Sequence, residues 1–125
     1  MPVTHTVDHG KREVNAVAVG NLTLDDLCTH MAKERFDKGL AYPEFIDASG
    51  ATINLSGTDV RVAVEMLRSL ARGGHLGPTA VLVGNDVSFG TLRMLEIQLE
   101  GTCAVRPFHT RLEALRWLAG DRYPP

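Results

Sequence analysis

The sequence predicts a single α/β domain, in which an open, mostly parallel five-stranded sheet is wound with four helices in the order ββαβαβαβα. Its 125 residues match the usual size of one domain. The apolar share of 44% and the charged share of 22% are those of a globular protein. Short apolar runs alternate with segments of helical spacing, which favours parallel strands and right-handed crossovers. We therefore expect one domain over 1–125, with a frayed tail at 121–125.

Capping and turn residues divide the chain into nine elements. Ser56 with Asp59 three residues later is typical of a helix N-terminus, and so is Thr110 with Glu113. Pro107 weakens the last strand and favours an edge position for it. The predicted elements are strands at 4–9 and 12–20, a helix at 24–38, a strand at 44–48, a helix at 57–72, a strand at 79–84, a helix at 88–100, a strand at 103–108 and a helix at 111–119.

Composition argues against several classes of protein. The net charge is -2 and the basic residues are scattered, so we expect no nucleic-acid partner. No apolar run approaches the roughly 20 residues of a membrane span, and the first residues do not resemble a secretory signal. Cys28 and Cys103 are not in a C-x-x-C spacing and are interpreted as small buried side chains. These observations predict a cytoplasmic protein without a membrane partner.

No catalytic, metal or nucleotide motif is recognised. His5 and His9 share a strand face, but no acidic or cysteine ligand stands at a fixed spacing to them, so we expect no metal and no cofactor. The stretch GNDVSFGT lacks the lysine of a Walker motif. Ser56, His109 and Asp47 do not resemble a nucleophile-elbow triad. We therefore expect a protein that is not an enzyme.

Polar residues gather where two parallel strands are expected to end, at 48–56 and 84–88. The ends of such strands are where open α/β sheets bind ligands and partners, so both segments should share one rim. The candidate switch or partner-binding residues of this rim are Asp47, Asn54, Ser56, Gly57, Asp86 and Ser88.

The third helix carries apolar residues on more than one face. Phe89, Leu92 and Leu95 can line one side, whereas Met94 and Ile97 project elsewhere. Such a helix is either deeply buried or covered by a partner. The candidate residues of an interface, which a homodimer would use, are Phe89, Arg93, Met94 and Ile97.

The stretches FIDASGATINLSGTDVRVAVEML and VRPFHTRLEALRWL resemble the STAS domains, the sulfate-transporter and anti-sigma-factor-antagonist modules of the SpoIIAA-like superfamily. The resemblance covers about 14–118 and implies a β-α superhelix that acts through protein contacts without a cofactor. Phospho-regulated members carry Asp-Ser-Ser-Gly at a helix start, and the second Ser accepts the phosphate. The corresponding residues here are Asn54, Leu55, Ser56 and Gly57. The resemblance thus implies a switch at Ser56, although helix capping alone also explains that residue.

The leading functional interpretation is a non-enzymatic regulatory module that binds another protein. The alternative is a small-ligand or lipid-binding domain of the same fold, with a pocket beneath the third helix. A pocket of several hundred cubic ångströms there would favour the ligand, and a flat apolar patch would favour the interface.

Overall fold

The computed structural model describes residues 2–120, and the predicted tail at 121–125 lies outside these residues. The described part contains five strands and four helices in the predicted order, which confirms the fold class. Their bounds are β1 Val3–Asp8, β2 Glu13–Leu22, α1 Leu24–Phe36, β3 Glu44–Ile53, α2 Gly57–Arg72, β4 Thr79–Val83, α3 Asp86–Gln98, β5 Val105–Phe108 and α4 Arg111–Leu118.

The strands form one sheet in the order β1-β2-β3-β4-β5. β1 pairs antiparallel with β2, and every other neighbouring pair is parallel. The strands that contain Phe45, Leu82 and Val105 are therefore parallel, as the alternation of elements predicts. β3 is the central strand and β5 lies at the edge of the sheet. An edge strand tolerates Pro107, which has no backbone N–H to donate to a neighbouring strand.

Six predicted boundaries differ from the structure by two residues or more, and the largest difference is at the end of β3. β3 continues to Ile53 rather than ending at residue 48, because β2 is also long and pairs with it as far as Leu22. α3 begins two residues early, since the Asn85 side chain accepts a hydrogen bond from the Ser88 backbone N–H at 2.8 Å. β5 begins at Val105, two residues later than predicted.

Helices cover the two faces of the sheet unequally. The larger core lies between the sheet and α1, α2 and α3, and its best-buried side chains include Val60 and Leu99. A smaller cluster joins α4 to the opposite face through Phe45, Ala80 and Trp117. Among the described residues, no helix combines the length and apolar character needed to cross a bilayer.

Candidate functional site

The exposed part of the predicted rim lies at the starts of α2 and α3. Asn54, Ser56, Gly57 and Asp86 are all exposed. The Ser56 hydroxyl accepts a hydrogen bond from the backbone N–H of Asp59 at 3.1 Å, as a helix cap does. These four residues are accessible to a partner or a modifying enzyme.

The other two rim residues lie elsewhere. Ser88 is fully buried, and its hydroxyl accepts a hydrogen bond from the backbone N–H of Ile53 at 2.9 Å. This buried hydrogen bond connects the predicted rim segments 48–56 and 84–88. Asp47 lies on the sheet face that carries α4, where it pairs with Arg111 at 2.9 Å. Hydrogen bonds from Ser49, together with Arg111, hold the pKa of Asp47 below its usual range. The structure therefore does not bring all six residues into one surface.

The candidate interface residues on α3 do not all lie on the same exposed surface. Met94 and Ile97 are 40% and 56% exposed, and Val87 extends the same stripe with 49% exposure. Phe89 instead packs against the larger core and stacks on the ring of His109. Arg93 is exposed and pairs with Glu96 on its own helix. An apolar stripe on α3 consequently reaches solvent, whereas its opposite side is buried.

That buried side of α3 helps to enclose a cavity of about 110 Å³ between the sheet and α1, α2 and α3. The wall is almost entirely apolar. Its apolar members include Leu27, Ile46, Ala63, Met66, Leu92 and Leu95. The cavity is smaller than the several hundred cubic ångströms of a drug-sized site, and it is close to the roughly 150 Å³ cavity that holds benzene in another protein.

Three buried ionisable side chains form the polar part of that wall. His30, Glu34 and Glu44 are 4%, 3% and 2% exposed. The Nε2 atom of His30 lies 2.8 Å from Oε2 of Glu44, with which it forms a hydrogen bond, and 3.2 Å from Oε2 of Glu34. Charged residues are rarely buried this completely. We call this group the buried triad.

Local structure explains why these side chains meet. His30 and Glu34 are four residues apart on α1 and share one helix face with Leu27, which points to the core. Glu44 is the first residue of β3, and its side chain lies on the same sheet face as Ile46. The site is therefore built from one turn of a helix and the start of the central strand.

The three residues of the buried triad were not predicted from the sequence as a site. The available signal was the spacing of Leu27, His30 and Glu34, which continues the apolar stripe of α1 with two polar residues. A polar residue at a core position is informative because it must find a partner there. Glu44 could not be added from the sequence, since nothing local indicates that its side chain points inward.

Burial and mutual contact shift the pKa values of the triad. Burial lowers the pKa of His30, but the adjacent carboxylates of Glu34 and Glu44 outweigh that effect and raise it to about 9. Burial raises the pKa of Glu44 to about 7, although the hydrogen bond from His30 opposes the change. The triad thus holds an imidazolium between carboxyl groups, one of which retains a proton near neutral pH.

The triad also has unused hydrogen-bonding capacity. Within residues 2–120, neither Nδ1 of His30 nor Oε2 of Glu34 makes a hydrogen bond, and both atoms are buried. Leaving a buried atom such as Nδ1 of His30 unsatisfied costs about 1–3 kcal/mol, whereas Oε2 of Glu34 retains its ion pair with Nε2 of His30 at 3.2 Å. A buried donor and a buried acceptor beside an apolar cavity are suited to a small molecule with one polar group.

Comparison with known proteins identifies the fold. No protein-family model matches the chain. None of the curated proteins matches it either. Among solved structures, the chain is similar to an uncharacterized protein of the DUF3478 family from Shewanella loihica PV-4, which is described as having a SpoIIAA-like fold. The identity is 19%, the match covers 93% of each chain and the TM-score is 0.55. The resemblance drawn from the sequence is confirmed at the level of architecture: this chain has a SpoIIAA-like fold.

Proposed function

We propose that the protein is a non-enzymatic binding module that holds a small, mostly apolar molecule with one polar group in the cavity beneath α1, α2 and α3. The observation that carries this proposal is the buried triad in the wall of an otherwise apolar cavity. Ligand sites commonly combine an apolar lining with a few polar groups that orient the ligand. This is the ligand-binding alternative predicted from the sequence. The cavity of about 110 Å³ is smaller than the several hundred cubic ångströms expected for that alternative, so its occupant has to be small.

The chemistry of the triad favours a ligand that both donates and accepts hydrogen bonds, such as a hydroxyl compound. Nδ1 of His30 and Oε2 of Glu34 offer two atoms without hydrogen bonds in the described chain. A ligand hydroxyl that reaches either atom would satisfy it. An isosteric hydrocarbon would leave both unsatisfied, so the site should discriminate between the two.

Phenol and benzene are suitable probes, since they differ by one hydroxyl group. We expect phenol to raise the melting temperature of the protein in the presence of a chelator, and benzene to raise it less at the same concentration. Ala63→Leu adds three heavy atoms from α2 into the cavity and should abolish both shifts. Differential scanning calorimetry measures them.

Val62→Leu is the matched control, because Val62 precedes Ala63 on α2 and is 46% exposed. It should retain the phenol shift. The proposal is wrong if neither probe changes the melting temperature of the wild type, or if Ala63→Leu responds as the wild type does.

Regulatory protein binding is a second candidate function. For this function we propose that the protein is located in the cytoplasm. The observation in its favour is the exposed stripe of Val87, Met94 and Ile97 on α3. The SpoIIAA-like fold and the exposed Ser56 at the start of α2 are consistent with such a role. The partner proposed here is a second copy of the chain, which would cover the stripe symmetrically.

If the chain self-associates through this stripe, a charged substitution within the stripe should change the distribution of monomer and dimer measured by analytical ultracentrifugation. Ile97→Glu should shift the protein toward monomer at tens of micromolar, because it places a charge at the centre of the apolar contact. Val62→Glu, a similar change on an exposed position of α2, should leave the distribution unchanged. A wild type that is monomeric at that concentration would contradict the interface.

A further inference from the structure

We propose that His30, Glu34 and Glu44 form a binding site for a divalent transition-metal ion at the wall of the cavity. This inference goes beyond ligand binding and does not depend on it, since the ion needs only the triad. The spacing of His5 and His9 in the sequence predicted no metal site, so the buried triad departs from that expectation.

The arrangement of donor atoms fits one ion. One nitrogen or oxygen atom from each of His30, Glu34 and Glu44 can be chosen so that all three lie within 4.8 Å of one another. Zinc binds histidine nitrogen and carboxylate oxygen at about 2.0–2.2 Å, so neighbouring donors of a tetrahedral ion lie roughly 3.4 Å apart. Nε2 of His30 lies 2.8 and 3.2 Å from the two carboxylate oxygens, and small outward movements would admit an ion.

The positions of the three residues are also suited to metal binding. His30 and Glu34 lie four residues apart on α1, a spacing that directs two side chains to the same point. Helical metal motifs use the same interval between two ligands. Glu44 adds a third donor from β3, so two separate elements hold the ion. Three protein ligands leave a coordination position for water or for another ligand.

Charge balance points to a divalent ion. A neutral imidazole and two carboxylates carry two negative charges, which such an ion neutralises. Because buried charge is costly unless it is paired, a divalent ion matches the charge of these three donors.

Unsatisfied atoms at the site give an independent indication of a ligand. The side chains of His30 and Glu34 are 3% and 4% exposed. Oε2 of Glu34 makes no hydrogen bond in the described chain, yet it faces His30 at the centre of the triad. A metal ion would take that oxygen as a ligand. Mixed imidazole and carboxylate donors suit Zn²⁺, Mn²⁺, Fe²⁺ and Co²⁺.

Titration calorimetry of the chelator-treated full chain with Zn²⁺ tests the proposal. We expect one ion per chain for the wild type. Glu34→Gln keeps the shape of the side chain and removes its charge, and it should weaken Zn²⁺ binding by about a hundredfold or more, since even second-sphere changes cost 10–100-fold. Glu100→Gln is the matched control on an exposed residue and should bind as the wild type does.

A spectroscopic measurement on the wild type keeps the proposal testable if a variant fails to fold. Co²⁺ in the site should broaden the methyl NMR signals of Leu27 and Met66, which line the cavity, more than signals near the exposed His75. Absence of Zn²⁺ binding, equal affinity in Glu34→Gln, or broadening confined to surface histidines would each overturn the metal site. The phenol shift would survive any of these results, so the two proposals fail separately.

Discussion

We expect His30→Leu to destabilise the protein by about 3–5 kcal/mol, because it leaves two carboxyl groups buried without their cation. Glu34 and Glu44 are each at most 4% exposed, so water cannot replace the lost partner without local unfolding. Urea denaturation at pH 8, with a chelator present, measures the change. His75→Leu substitutes an exposed histidine and should change the free energy of unfolding by less than about 0.5 kcal/mol.

Replacing the whole triad should reverse that loss. The triple variant His30→Leu, Glu34→Met and Glu44→Met keeps similar side-chain volumes and removes every buried charge of the group. Comparable replacements of buried ionic groups are neutral or stabilise proteins by about 1–4 kcal/mol. A triple variant at least as stable as the wild type would mean that folding does not require the triad. A triple variant less stable than His30→Leu would show instead that the triad is mainly structural.

The stability of the metal-free protein should fall as the pH rises from 5 to 9. The folded-state pKa of Glu44 is raised from 4.5 to about 7 and that of His30 from 6.5 to about 9. A raised pKa contributes stability that is complete below the unfolded-state value and is lost as the pH passes through the folded-state value. Both groups therefore act in the same direction, and the expected loss is on the order of 5 kcal/mol.

The free energy of unfolding in urea at pH 5, 7 and 9 measures this slope. Glu44→Gln should reduce the change in the free energy of unfolding between pH 5 and 7. Glu100→Gln should retain this change, since Glu100 is exposed. The ring of His5 also packs against His30 at a centroid distance of 5.1 Å, so His5→Gln is included to separate its contribution. Constant stability over this pH range would contradict the assigned protonation of the triad.

Much of the fold could be predicted because its signals are local. Ser56 and Thr110 cap α2 and α4 as their spacing to Asp59 and Glu113 indicates. The end of β3 was misplaced because strand length depends on the neighbour: Ile53 pairs with Leu22, which is 31 positions away in the chain. Pairing over that separation leaves no signal in the residues next to Ile53.

The candidate site was harder to predict than the fold, because it depends on three-dimensional packing. Ser88 was assigned to the rim, but the early start of α3 at Asp86 turns its hydroxyl into the core. Asp47 was assigned to the rim, but the alternation of β3 places it on the face of α4 instead. The cavity itself is defined by how α1, α2 and α3 sit on the sheet, and no single stretch of sequence encodes it.

The most direct test of the buried triad as a binding site is native mass spectrometry of the full chain purified at neutral pH from its own host. The wild type should carry added mass, either a small organic molecule or one metal ion, and the triple variant should have the mass of the bare chain. Tandem dissociation would distinguish the two kinds of occupant. A wild type and a triple variant that both have the bare mass, or that both carry the same addition, would contradict the account.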